Sequence, residues 1–421
     1  MKSLQDIAQS LQGYDPQALT MADANAFIAR LVQPITATER LPIRQCGGRV
    51  LAEDLVSPLS VPAHDNSAMD GYAFPGAALL PGVPLTLRVA GTALAGKAWT
   101  GSLVAGECLK IMTGAILPPG LDTVVPQELT QVQGDAVTIP ADVVRSGDNR
   151  RLRGEDLQQG GIALAKGELL APAALGLAAS LGLSSLPVVR RIKVAYLSTG
   201  DEVQSVGETL REGAVFDSNR YTITSLLERM GCEVLELGVV GDDPVALEAA
   251  FRSAAAQADV VISSGGVSVG EADFTKGMMA KLGDVVFWRI AMRPGRPFAV
   301  GRIGNTALFG LPGNPVAVMV TFLTLVRPAL LQMMGARPQA LPLLQAHSQE
   351  PLRKKAGRTE YQRGIVSTGP DGRLQVRTTG NQGSGVLSSM VQANGLIVLH
   401  HGQGHVAAGD LVDVMMFHSV I

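Results

Sequence analysis

The spacing of apolar residues changes several times along the chain. In MADANAFIARLV, residues 21–32, apolar positions recur at near-helical intervals and predict a helix. Residues 61–146 switch to short alternating runs, PLTLRVAGTAL, ECLKIMTGA, DTVVPQEL and DAVTIP, broken by Gly and Pro. That is the pattern of a small β domain. From about 188 to 335 strands and helices alternate. RIKVAYLSTGDE reads as a strand running into a loop. DSNRYTITSLLERMG reads as a helix, with Asp217 or Ser218 as N-cap and Gly231 just past its end. CEVLELGVVGDDP is a strand and turn, PVALEAAFRSAAAQA a helix with Pro244 in its first turn, and DVVISSGG a third strand. NPVAVMVTFLTLVRPALLQMM predicts one long buried helix, and the tail returns to β runs in RTEYQRGIVS, RLQVRTTG, GLIVLHHG and DLVDVMMFHSVI.

Strands alternating with helices predict a doubly wound α/β domain whose sheet is mostly parallel and covered on both faces. The fold class expected is therefore α/β multidomain, with two small β domains and an extended N-terminal helical or linker domain. The boundaries drawn are 1–55 with 147–187 for the linker domain, 56–146 for the small β domain, 188–335 for the α/β domain and 336–421 for a C-terminal β-barrel-like domain. LAPAALGLAASLGLSSLPVV, 170–189, carries no charge over the length of a membrane span. Its prolines, glycines and serines favour a short helix from Pro172, ended by Gly182, then a strand.

Composition narrows the function classes. The 421 residues suffice for roughly three domains. The net charge of −2 gives no support for a nucleic-acid or membrane-surface binder, and 4% aromatic residues argue against a base-stacking platform. Cys46, Cys108 and Cys232 form no CxxC pair and no zinc spacing, so they are expected as buried thiols in a reducing cytoplasm. The N-terminus, MKSLQDIAQSLQGYD, lacks the apolar core of a signal peptide.

Candidate chemistry gathers where strands of the α/β domain end, because ligands of doubly wound sheets bind beyond the carboxyl ends of the strands. STGDE (198–202), GDDP (241–244) and SSGGVSVGEADFT (263–275) are such loops. Glycine beside hydroxyls lets backbone N–H groups approach an anion, which marks Ser264, Gly265, Gly266 and Ser268 as ligand-binding candidates. The same loops carry carboxylates, which repel phosphate. A divalent cation between carboxylates and phosphate resolves that conflict, and Mg²⁺ favours this mixture of oxygens. GLPGNP (310–315) is a rigid turn, with Pro312 and Pro315, able to present backbone amides. RIAMRPGRP (289–297) brings Arg289, Arg293 and Arg296 together, either as a solvated basic face or as an oxyanion site. RSGDNRRLRGED (145–156) reads by itself as a surface ion-pair network. HExxH, GxxxxGK[ST] and GxGxxG are absent.

DNSAMDGYA (65–73), IMTGA (111–115), RRLRGED (150–156), STGDE, SSGGVSVGEADFT, RPGRP (293–297), GLPGNPV (310–316) and TTGNQGS (378–384) occur in that order. Together they resemble the molybdopterin molybdotransferase (molybdenum insertase) family, relatives of the gephyrin E domain, over nearly the whole chain. The resemblance implies a transferase of molybdenum cofactor biosynthesis. Such an enzyme inserts molybdate into adenylylated molybdopterin, with Mg²⁺-dependent release of AMP. It also implies an elongated four-domain homodimer, its active site lying between the α/β domain of one subunit and the small β domain of the other. By residue-wise match, Asp70, Thr113, Asp156, Glu202, Asp242 and Asp273 correspond to catalytic positions, and Glu202, Asp242 and Asp273 to the set that holds metal. Arg363 in YQRG and Ser384 in QGS match positions near the pterin and molybdate sites. A cytoplasmic location follows, with transient contact to a molybdopterin adenylyltransferase and to cofactor-accepting enzymes, and with neither nucleic acid nor membrane as partner.

Two departures from the family pattern stand out. Arginines occupy 289, 293 and 296 where lysines are common, and Ala317 follows GLPGNPV where many relatives have serine. Two rival readings are a catalytically inactive scaffold of the same fold and the adenylyltransferase itself, which resembles the α/β domain alone.

Overall fold

Residues 3–11, 14–265 and 281–420 are described in this computed structural model. The candidate ligands Gly266, Ser268 and Asp273 lie outside the described residues.

The α/β domain is built on a six-stranded sheet in the order Glu233–Val240, Lys193–Thr199, Val260–Ser264, Thr306–Leu311, Pro297–Ile303, Asp284–Arg289. The first four run parallel and the last two are antiparallel additions. Strand alternation sorts side chains between two cores. Tyr196, Ile262 and Phe309 enter one, with Leu227 and the residues after Val316; Ala195, Leu197, Val261 and Leu308 enter the other, with Leu247 and Phe251. Helices therefore cover both faces.

Their starts follow from local chemistry. The Asp217 carboxylate accepts from Arg220 N–H at 3.1 Å and caps the helix Ser218–Arg229. Asp243 accepts from Ala246 N–H at 2.7 Å and caps Pro244–Gln257. The long apolar helix spans Pro315–Met333. It is interrupted by a π-helical turn at Phe322–Val326, which the apolar spacing did not reveal. Pro328 accounts for the break, because it offers no N–H to the carbonyl one turn earlier. This helix is long and apolar enough to cross a membrane, yet 67% of its apolar window is buried within the protein.

The N-terminal residues divide differently from the boundary drawn at residue 55. Leu4, Ile7, Phe27, Ile28 and Leu31 belong to the same core as Trp288 and Phe298. Phe27 meets Trp288 edge-on at 4.9 Å, and Trp288 Nε1 donates to Tyr14 Oη at 2.9 Å. The linker proper begins at Thr38–Pro42, which pairs antiparallel with Ser185–Val189. Leu55–Val56 pairs with Ile162–Leu164, so the β domain is an insertion between two segments that pair with each other. That domain is a six-stranded sheet whose two cores contain only its own residues.

The C-terminal domain closes on itself. Its strands run Thr359–Thr368, Leu374–Thr378, Leu344–Ser348, Leu411–Met416 and Gly395–Leu399, and the last pairs back with the first. Met292–Arg293, from the α/β region, adds to this sheet beside Thr359 and Glu360. That pairing carries the RPGRP turn to the junction of the two domains. Cys46, Cys108 and Cys232 are free and buried, and burial pushes the thiols of Cys108 and Cys232 up to about 12.

Candidate active site

At the carboxyl edge of the parallel strands, Thr199 lies in register with Val240. STGDE and GDDP are thus neighbours. Asp242 N–H donates to Asp201 Oδ1 at 3.0 Å, and Asp201 N–H donates to Asp242 Oδ2 at 3.4 Å. Gly200 has φ +133°, and a Cβ there would lie 2.6 Å from Glu202 Oε2, so the Glu202 carboxylate folds back over the glycine. Glu202 and Asp242 are both exposed. Two carboxylates on one strand edge suit Mg²⁺, which takes one or two together with substrate phosphate oxygens. Among the described residues no three His, Cys, Asp or Glu groups converge on a common metal position.

Ser264 sits elsewhere than a ligand hydroxyl would. It is 2% exposed and its Oγ lies 2.7 Å from Tyr196 Oη, in a buried trio with Ser198. Burial pushes the Tyr196 hydroxyl up, so it stays protonated. Gly265 has φ +89°, and a Cβ would stand 2.3 Å from the Thr199 carbonyl oxygen. Only glycine fits between the two strand ends.

A cavity of about 440 Å³ opens between the α/β and C-terminal domains. Three distant motifs build it. Arg293, Pro294, Gly295 and Pro297 supply one wall, Pro312, Gly313, Asn314 and Ala317 a second, and Gln382, Gly383 and Ser384 the third. Each wall has a structural anchor. Gly295, at φ +95°, leaves 2.4 Å between a would-be Cβ and Thr321 Cγ2. Asn219 Nδ2 donates to the Gly313 carbonyl at 2.7 Å. Val316 N–H donates to the Ser384 carbonyl at 3.1 Å.

Arg363 braces the third wall from behind. It is 1% exposed, and its guanidinium donates to Ser389 Oγ (2.9 Å), Asn381 O (3.2 Å) and Gly383 O (2.9 Å). All three acceptors are neutral. Burial first, and the nearby Arg293 charge second, lower its pKa to about 10. Two neighbouring cations, one buried without a hydrogen-bonded carboxylate, create a positive potential at this junction. Of the three arginines grouped by sequence, the structure brings only Arg293 to the cavity. Arg289 is half-buried and its N–H donates to Pro16 O; Arg296 is exposed and its carbonyl accepts from Ile290 N–H. Pro315 begins the helix behind the turn rather than lining the cavity.

The β domain carries a second cluster. Asp70 Oδ1 accepts from Thr113 Oγ1 at 2.6 Å and from Thr113 N–H at 2.7 Å. These two bonds, the hydroxyl's first, hold the Asp70 carboxyl below the usual range. The following Gly71 has no room for a side chain, since a Cβ would fall 1.9 Å from the Val125 carbonyl oxygen. Asp65 ties this motif to RRLRGED. It accepts from Arg150 Nε (2.9 Å) and Arg153 N–H (2.7 Å), and pairs closely with the other Arg150 nitrogen. Asp156 is exposed nearby, its N–H donating to Val61 O at 3.1 Å. Met69 and Leu152 are exposed apolar residues in the same two motifs. Among the described residues, no hydrogen bond or ion pair links residues 62–146 to residues 190–420. The two clusters are separate within one chain.

Several participants escaped the sequence reading: Asp65, Asp201, Asn219 and Gln382. Three of them lie inside motifs already singled out, but their partners are 19 to 88 positions away. The fourth, Asn219, was visible only as part of a helix start.

Comparison with known proteins identifies the family. Residues 19–182 match a model for the MoeA N-terminal region (domains I and II), 195–332 a probable molybdopterin binding domain, and 345–417 the MoeA C-terminal region (domain IV). The molybdopterin molybdenumtransferase of Haemophilus influenzae is 41% identical over 404 residues, covering 96% of this chain and all of that protein. Molybdopterin molybdenumtransferase 2 of Mycobacterium tuberculosis is 36% identical, covering 92% of this chain and 96% of that one. The crystal structure of the molybdopterin biosynthesis MoeA protein from Pyrococcus horikoshii superposes with a TM-score of 0.82 at 27% identity, covering 95% of this chain. The chain belongs to the MoeA family of molybdopterin molybdenumtransferases.

Proposed function

We propose that the chain transfers molybdenum to molybdopterin, as its relatives do by name, taking molybdate and adenylylated molybdopterin as substrates and releasing AMP. The observation that carries this is the 440 Å³ cavity, where Arg293 lines one wall and the buried Arg363 braces the Gln382–Ser384 wall from behind, close enough to Arg293 to feel its charge. A tetrahedral dianion relieves the repulsion between two such cations, and the forked guanidinium of Arg293 offers it paired donors. Molybdate is the substrate of that charge and shape. Ser384 is the hydroxyl on its wall; Ala317, where many relatives carry serine, supplies none.

Glu202 and Asp242 would hold Mg²⁺ with the pyrophosphate of the adenylylated pterin, with Asp273 as a further candidate. When bound, Mg²⁺ neutralises charge on the phosphate oxygens and favours departure of AMP. Asp70 stays ionised at neutral pH through its Thr113 bonds and serves as the fixed negative charge of the β-domain half. Because that half lies apart from the cavity in one chain, the reading includes a homodimer in which the β domain of one subunit faces the α/β domain of the other. The setting is cytoplasmic, with a molybdopterin adenylyltransferase supplying the substrate and apoenzymes taking the product.

The test combines purified protein, adenylylated molybdopterin, Mg²⁺ and titrated molybdate. AMP release coupled to molybdate-dependent activation of a molybdenum-free apoenzyme is the expected result. Binding of the adenylylated pterin with neither signal would mark the chain as a scaffold.

A further inference from the structure

A second compartment, of about 240 Å³, adjoins the proposed molybdate cavity, and Arg293, Pro294 and Gln382 border both. We infer that this compartment holds the pterin head of the substrate, and that the Glu350 carboxylate binds the exocyclic amino group and the adjacent ring N–H of that head. This rests on the assignment of molybdate to the larger cavity.

Two of the charges on this lining are already engaged. Arg363 spends its guanidinium on Ser389 Oγ and two carbonyls, and the buried Glu360 pairs with Arg358 at 2.7 Å. Glu350 differs, because its two oxygens are unequal. Oε1 accepts from Thr378 Oγ1 at 2.6 Å and from Thr378 N–H at 2.7 Å. These bonds, the hydroxyl's first, hold the carboxyl below the usual range, so it is ionised at neutral pH. Oε2 accepts no hydrogen bond among the described residues and keeps both lone pairs. A pterin carries two donors side by side that suit one such oxygen, with a ring carbonyl beyond them. Arg353, exposed on the same lining, is a donor for that carbonyl. The faces of the ring are apolar, and Pro294, Pro351 and Leu352 supply apolar lining. Apolar walls with a few placed polar groups are what a flat heterocycle requires.

The order of the compartments matches the order of parts in the substrate. In adenylylated molybdopterin the dithiolene lies between the pterin head and the phosphates. Here the molybdate cavity lies between the small compartment and the acidic strand edge. Its Gly313 wall packs on Gly265, since a Cβ on Gly313 would stand 3.9 Å from Gly265 Cα. Gly265 in turn lies against the Thr199 carbonyl, in the motif that carries Glu202. A head bound by Glu350 puts the dithiolene sulfurs at the molybdate cavity and the pyrophosphate toward Glu202 and Asp242.

The experiment compares the full chain with Glu350→Gln. In that variant the amide oxygen stays with the two Thr378 donors, so the amide nitrogen takes the place of Oε2. The local bonds survive, and the open acceptor becomes a donor. Adenylylated molybdopterin should bind at least about tenfold more weakly to the variant, while molybdate, and AMP with Mg²⁺, bind within about twofold of the unaltered chain. Fluorescence titration with hydroxymethylpterin and with the matching lumazine, in which an oxygen replaces the amino group, reads the edge itself. The unaltered chain should prefer the pterin, and the variant should lose or reverse that preference. The same preference in both proteins, or none in the unaltered chain, would overturn the assignment. A loss confined to molybdate would make the compartment an oxyanion station, and a loss confined to AMP an adenine site; either overturns it. Similar losses for every ligand, with a lowered melting temperature, would reduce Glu350 to a brace for Thr378 and overturn it as well. If the unaltered chain binds neither adenylylated molybdopterin nor molybdate, the functional reading itself fails, whatever the variant does.

Discussion

Thr113 shows how one residue sets the charge of another. Its hydroxyl and its N–H both donate to the same oxygen of Asp70. Hydrogen bonds to the charged form favour that form, so the carboxyl titrates below its ordinary range. Any activity that needs the carboxylate is then intact at neutral pH and is lost only as pH falls through the lowered value. Thr113→Val removes the hydroxyl donor and leaves the N–H, so the Asp70 pKa should rise toward its usual value. The acid limb of the pH profile for AMP release should move to higher pH, with little change at the plateau. An unmoved acid limb would separate Asp70 from the rate. Asp70, Thr113 and Asp156 could be chosen from the sequence only because their motifs resemble those of a known family. Asp65, five residues before Asp70, could not be ranked above an ordinary turn residue. Its importance lies in Arg150 and Arg153, and a bond across 85 positions has no local signature.

The elements were legible where their causes are local. Asp217 and Pro244 mark helix starts through their own side chains, and Pro172 does the same for the short helix Pro172–Ser180. Elements whose causes are distant were not legible. Met292–Arg293 becomes a strand because Thr359 and Glu360 of another domain are there to pair with it. For the same reason three arginines close in sequence reach three different environments. Asn219 is the clearest case of an element acting on the site. It lies in the first turn of the helix Ser218–Arg229 and holds Gly313, so the helix positions the Pro312–Asn314 wall without touching the cavity. Asn219→Ala frees the Gly313 carbonyl and should cost about 1–2 kcal/mol of stability in denaturant unfolding. Molybdate affinity should fall by roughly threefold to tenfold, since the wall loses its fixed position. Unchanged affinity with the stability loss would confine Asn219 to folding.

At the scale of the whole molecule, one chain presents two separate clusters, which the proposed function takes as half-sites. The acidic half is in a β domain with its own cores, inserted through paired strands of the linker. The cationic half is at the α/β and C-terminal junction. Exposed Met69 and Leu152 beside Asp70 and Asp156 are suited to contact another protein surface rather than water. A two-fold homodimer would bring each β domain against the partner's α/β domain and complete two equivalent sites. This arrangement predicts complementation between inactive variants. Asp70→Ala removes the acidic half and Arg293→Ala the cationic half, so each homodimer should be nearly inactive. In a mixed dimer, one composite site would carry both substitutions and the other neither. Random reassortment makes about half the dimers mixed, so AMP release should recover to roughly a quarter of the unaltered rate. If each site were built within one chain, every site in the mixed dimer would carry one substitution and no activity would return. Recovery on co-refolding, and its absence on simple mixing without subunit exchange, would place the reaction between the two chains.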